Sequence, residues 1–116
     1  FTGLAAGTST TITGSIGGTP LSSAFPTVTV IPGAFSLAQS VVSVSNGTVV
    51  SGSAVVVTLQ ARDSNGNNLT TGGLSVSFGR SGGTSTGNFS AINDGTDGTY
   101  TANFTGVVAG TPTTLT

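Results

Sequence analysis

Cysteine, histidine, lysine, glutamate, tryptophan and methionine are all absent from this chain, and side-chain charge is confined to Arg62, Arg80, Asp63, Asp94 and Asp97. Without cysteine there are no disulfides, no thiolate chemistry and none of the common zinc sites. Without lysine, a Lys–Asn isopeptide crosslink is excluded. The missing bases bear hardest on catalysis: the many Ser and Thr hydroxyls have nothing to activate them, and a paired-carboxylate site would need two of only three aspartates. A catalytic function is not expected. Two arginines form no basic patch, so nucleic acid and anionic membrane surfaces lack a counterpart here. No apolar run approaches the roughly 18 residues that span a bilayer, so membrane insertion of this segment is not expected either.

What the chain does contain is 19 glycines, abundant Ser and Thr, and 35% hydrophobic residues at a net charge of −1. Disorder combines low hydrophobicity with high net charge, and neither holds, so a folded domain is expected. A near-neutral surface of hydroxyls and amides lacks the repulsion that keeps separate proteins apart. That favours a covalent array or a packed fibre, solubilised by sugar.

One stretch occurs twice. Phe1-Thr2-Gly3-Leu4-Ala5-Ala6-Gly7-Thr8-Ser9-Thr10-Thr11-Ile12-Thr13 returns 103 residues later as Phe104 to Thr116, with nine of thirteen residues identical and no gap. A fixed period of that length is the size of one small β-sandwich in a repeat array. The sequence is therefore expected to be a window cut across a repeat junction: residues 1–33 as the C-terminal strands of one repeat and 34–116 as the N-terminal and central strands of the next. Ile31-Pro32-Gly33-Ala34 punctuates between them. Its proline and flanking apolar residues predict limited freedom between the two parts.

Along the chain, polar–apolar alternation predicts strands and nothing has helical periodicity. Thr8–Ser15 and Ala24–Ile31 read as strands around a Gly17-Gly18-Thr19-Pro20 turn, and Gln39–Ser45 as another. In Ser53–Arg62 the inward set is Val55, Val57, Leu59 and Ala61. Leu74, Val76 and Phe78 alternate with Ser75, Ser77 and Gly79, and Tyr100, Ala102 and Phe104 share the buried face of Thr99–Thr105. Gly98 and Gly110 fall at turns. Short strands at about ten-residue spacing imply an antiparallel sandwich.

Three segments carry a family resemblance. Asp97-Gly98-Thr99-Tyr100-Thr101-Ala102-Asn103-Phe104-Thr105 followed by Ala109-Gly110-Thr111 is similar to the DGTYTxxYxP…AGxY segment of filamin-type immunoglobulin-like repeats. Gly17 to Gly33 resembles their final strand, although Ser23-Ala24-Phe25-Pro26 displaces the proline. Leu59-Gln60-Ala61-Arg62-Asp63-Ser64-Asn65-Gly66-Asn67-Asn68-Leu69 resembles the LxAxDxxGNxL strand and turn of bacterial invasin and intimin type domains. The resemblance implies an all-β, immunoglobulin-like antiparallel β-sandwich of filamin-like type. It also implies a structural unit of an extracellular or cell-surface filament or adhesin stalk, whose partners are adjacent copies of the same repeat, end to end. Two alternatives stay open: a fibre subunit polymerising by β-strand donation, and a loop-based module binding carbohydrate or a host protein. One tyrosine and no tryptophan leave little for a sugar to stack on.

Two kinds of site have matching residues. Asp63, Asn65 and Asn67 have the D-x-N-x-N spacing of a calcium loop, but Asn68 and Leu74 stand where that loop needs Gly and a bidentate Glu; Asp94 and Asp97 form a second, weaker candidate. An ordinary turn is the competing reading of both, and no other cofactor is expected. Four N-x-S/T sequons, at Asn46, Asn68, Asn88 and Asn103, are candidates for glycosylation.

Overall fold

A computed structural model describes all 116 residues, and every regular element in it is a β-strand. The fold is an immunoglobulin-like antiparallel arrangement, as the alternation predicts.

The chain starts with a hairpin. Strands β1 (Thr10–Thr11) and β4 (Thr27–Val28) pair, as do β2 (Ser15–Ile16) and β3 (Thr19–Pro20). Bonds from Ile12 N to Pro26 O (2.8 Å) and from Leu21 N to Gly14 O (3.0 Å) join the two pairs into one ribbon. Gly17 and Gly18 close it with φ of 56° and 82°. Two left-handed residues in succession make the tight turn whose twist matches its strands. The ladder is short because Pro20 and Pro26 have no N–H to give.

Beyond residue 33 the centre is β10 (Thr99–Val108), flanked by β6 (Ala54–Gln60) and β8 (Thr86–Phe89); β5 (Val41–Val44) extends β6, and β9 (Asn93–Asp94) also pairs with β10. The register sets Tyr100 opposite Leu59, Ala102 opposite Val57 and Phe104 opposite Val55. Directly opposed residues share a face, so this register collects Val55, Val57, Tyr100, Ala102 and Phe104 into the buried core. Phe89 packs on Phe104 with ring centroids 5.1 Å apart and Phe78 on Phe89 at 6.0 Å. Burying one such side chain contributes about 2–3 kcal/mol.

The second layer is thin. Strands β7 (Arg80–Ser81) and β11 (Thr114–Leu115) pair, and reciprocal bonds between Gly79 and Thr116 (2.6 and 2.8 Å) lengthen the ladder by one residue pair. Leu74, Val76 and Phe78 keep the predicted alternation, half-buried between exposed Gly73, Ser75 and Ser77, but no strand bonds to them. Here the expectation is corrected. A ladder needs a neighbour, and β11 reaches only as far as Gly79. Leu59, Val76 and Phe78, expected in the core, are half-buried, Leu59 although β5 and β10 pair on either side of it. The two-layer region and the hairpin together measure 72 × 23 × 20 Å.

Candidate functional site at the junction

The turn after β6 is built by one carboxylate. Asp63 is 4% exposed, and its Oδ1 accepts from the backbone N–H of Asn65 (3.0 Å) and of Asn67 (2.9 Å). Gly66 N–H bonds back to Asp63 O at 3.0 Å, with Gly66 at φ 83°. This is the Asx geometry that Asp-x-Asn-Gly-Asn favours, because a short acidic side chain can stand in for a backbone carbonyl.

The other carboxylate oxygen looks outward from the turn. Asp63 Oδ2 accepts from Gly33 N–H at 3.0 Å and from Asn67 Nδ2 at 3.0 Å. Asn67 then reaches the N-terminal segment, its Oδ1 accepting from Ala6 N–H (2.8 Å) and its Nδ2 donating to Leu4 O (2.7 Å). The amide orientation is fixed by its partners, since Ala6 N–H can only donate and Leu4 C=O can only accept. Nearby, Phe35 bridges to Asp63, Ser36 N–H bonds Arg62 O at 2.6 Å, and Ser40 Oγ accepts from Arg62 N–H at 3.0 Å. Two side chains thus tie residues 4, 6 and 33 to one turn. The electrostatics follow. The Gly33 N–H, then the Asn67 amide, hold the Asp63 carboxyl at about 2, with the Asn67 and Asn65 N–H groups adding to them against the opposing cost of desolvation.

Of the predicted cation ligands, the fold brings only Asp63 and Asn67 together. The exposed Asn65 contributes its backbone N–H. Asp94 lies at the end of β9, where Oδ2 accepts from Gly73 N–H (2.7 Å) and Oδ1 from Thr96 N–H (2.8 Å). Asp97 accepts from both the hydroxyl and the N–H of Thr99, which lower its pKa in that order. All three carboxylates therefore accept hydrogen bonds from N–H or O–H donors. No three His, Cys, Asp or Glu side chains gather into a ligand set. The four sequon asparagines, Asn46, Asn68, Asn88 and Asn103, are all exposed. Asn46 Oδ1 accepts from Thr48 N–H at 3.1 Å within its own sequon, and Asn68 Oδ1 accepts from Arg62 Nε at 2.9 Å.

Sequence reasoning missed the reach of Asn67 to Leu4 and Ala6, and also the bond from Leu74 N–H to the Tyr100 hydroxyl at 3.1 Å. Neither has a local signal. Leu4-Ala5-Ala6 is featureless, and the partners are separated by 61 and 63 residues.

Comparison with known proteins agrees with this architecture. Residues 36–116 match the family model described as invasin, domain 3. A solved structure of FdeC, described as a novel, broadly conserved Escherichia coli adhesin eliciting protection against urinary tract infections, is 32% identical over 85% of this chain, with a TM-score of 0.56. The chain spans 31% of that protein's chain. No curated protein matches it. With the match running from Ser36 through β6, the Asp63 turn and β10 to Thr116, the chain belongs to the invasin domain 3 family of bacterial immunoglobulin-like domains.

Proposed function

We propose that this chain is a structural repeat unit of a bacterial surface adhesin stalk, giving length and stiffness without catalysis. The observation that carries the reading is the clasp: Asp63 and Asn67 hydrogen-bond residues 4, 6 and 33, fixing how one part of the chain meets the next. A stalk needs stiff joints, and a charge-assisted bond to a carboxylate is stronger than one between neutral groups. The FdeC description and the 103-residue echo support the same reading, with 1–33 and 34–116 belonging to successive repeats and neighbouring copies as the end-to-end partners.

The test is the intact mass of the native polypeptide after full denaturation. A mass of many multiples of the 103-residue period supports a covalent stalk; a mass equal to this chain alone overturns it.

The stalk reading uses no metal. The melting temperature is expected to be the same in millimolar calcium as in EGTA, and a rise in calcium that Asp63→Asn abolishes would assign the loop as a calcium site. Glycans on Asn46, Asn68, Asn88 or Asn103 are compatible with the reading, since each side chain is exposed. The same intact mass reveals them.

A further inference from the structure

The pair Asn-Gly occurs twice, in nearly the same local sequence: Ser45-Asn46-Gly47-Thr48 and Ser64-Asn65-Gly66-Asn67. In such a pair the backbone nitrogen of the glycine can reach the side-chain carbonyl carbon of the asparagine, because no Cβ stands in the way. Sterics do not separate the two copies. Both asparagines are exposed, and a Cβ on Gly47 or on Gly66 would meet nothing within 4 Å. What separates them is the state of the nucleophile and of the carbonyl it attacks.

In the Asp63 turn both are unready. Gly66 N–H donates to Asp63 O at 3.0 Å, so the proton that must leave is held. Asp63 Oδ1 accepts from the N–H groups on either side, those of Asn65 (3.0 Å) and Asn67 (2.9 Å), so an amide anion at Gly66 would form beside a carboxylate. Asn65 itself is held through its backbone N–H alone.

Between β5 and β6 the arrangement is reversed. Gly47 is exposed and its N–H has no partner in the chain. Asn46 Oδ1 accepts from Thr48 N–H at 3.1 Å, with the Thr48 hydroxyl at 3.4 Å. Attack at Cγ drives an electron pair onto Oδ1, and donors already aimed at that atom stabilise the charge as it develops. The loop is also anchored, since Ser45 N–H bonds Val56 O at 2.9 Å and Ser45 Oγ accepts from Val56 N–H at 3.0 Å.

We propose that Asn46 is a site of spontaneous deamidation, selected over Asn65 by the fold. Gly47 N gives its proton to a solvent base and bonds to Asn46 Cγ; the Cγ–Nδ2 bond breaks, and Nδ2 takes a proton from water and leaves as ammonia. Water then opens the succinimide. Cleavage of the new Cγ–N bond gives aspartate, and cleavage of the original bond from Asn46 C to Gly47 N gives isoaspartate, with the chain running through the side chain. The sum is asparagine plus water to a carboxylate plus ammonium, with no change of oxidation state. The product adds a fourth carboxylate side chain to a chain that has three, and it lacks the Nδ2 on which a glycan would be built, so one sequon is withdrawn with time. This inference holds whether or not the chain is a stalk repeat.

The test is peptide mapping of the whole chain during incubation in mildly alkaline buffer, where each conversion reads as a gain of about 1 Da and fragmentation separates isoaspartate from aspartate. In the folded chain, conversion at Asn46 is expected to run at least about tenfold faster than at Asn65. In concentrated urea the two rates are expected to converge, because the local sequences nearly match. Gly47→Ala has room for its Cβ and is expected to slow conversion at Asn46 at least about tenfold. Equal rates in the folded chain, or faster conversion at Asn65, overturn the proposal. So does a difference that survives in urea, which would place the cause in the local sequence instead of the fold.

Discussion

Asp63 is where the chemistry of single residues matters most. Its carboxyl ionises at about 2 in the folded chain against the ordinary 3.8, chiefly because Gly33 N–H and the Asn67 amide bond to the charged form. A folded-state value below the unfolded one means that the stabilisation is present in full above the unfolded pKa and disappears as pH falls through the folded one. The melting temperature is therefore expected to drop between about pH 4 and pH 2, and Asp63→Asn is expected to remove most of that slope while lowering stability at neutral pH. Asp97, also lowered by Thr99, supplies the remainder. An unchanged slope in Asp63→Asn, followed by circular dichroism, would assign the effect elsewhere. Two glycines at nearly the same φ give a second residue-scale contrast. Gly66 has open space where a Cβ would stand, whereas a Cβ on Gly98 would overlap the Leu69 carbonyl. Gly66→Ala is expected to cost about 1 kcal/mol and Gly98→Ala about 3 kcal/mol or more in chemical denaturation.

Among the elements, β6 and β10 carry the stability. Both were legible because each buries one face and wets the other, which writes a period of two into the residues: Val55 and Val57 buried beside Val56, 41% exposed. Phe104→Ala is expected to cost about 3–5 kcal/mol, and Val56→Thr within about 0.5 kcal/mol of nothing, by urea titration. The Leu74–Phe78 segment has the same period yet forms no ladder, since alternation says which face a residue takes and not which strand lies alongside. Phe78 anchors that segment's end on Phe89 and the core, and a long-range bond from Leu74 N–H to the Tyr100 hydroxyl holds its start. Tyr100→Phe is expected to lower stability by about 1 kcal/mol and to speed amide exchange at Leu74 well before exchange across β10. Uniform acceleration throughout the sheet would show that the hydroxyl supports the whole core instead.

The molecule as a whole is long. Its radius of gyration is 21.2 Å, where a compact domain of this length would have about 13 Å. The excess comes from the hairpin standing off the two-layer region, and the Asn67 bonds to Leu4 and Ala6 hold it there. Asn67→Ala removes those bonds and one donor to Asp63 while leaving β6 and β10 intact. Small-angle scattering of that variant is expected to show a broadened distribution of interatomic distances, with the mean size changed and the melting of the sheet nearly unchanged. An identical scattering curve would mean that the short Pro32-Gly33 connection alone sets the geometry.

The all-β class, the strands β6 and β10 with their inward faces, and the turn chemistry at Asp63 and Gly17-Gly18 were determined by the sequence alone, because each depends on neighbours within a few residues. The clasp, the Tyr100 hydroxyl bond and the half-burial of Leu74, Val76 and Phe78 were decided only by tertiary structure. Asn67 reads as one more turn residue until the fold brings Leu4 and Ala6, more than 60 residues away, to within 3 Å of its amide. Hydrogen bonding saturates at short range and burial depends on what lies opposite, so the partner of a polar group has no imprint on the local pattern. The spacing at Asp63 likewise gave the order of oxygens along the chain, and the folded turn decided which N–H groups bond them.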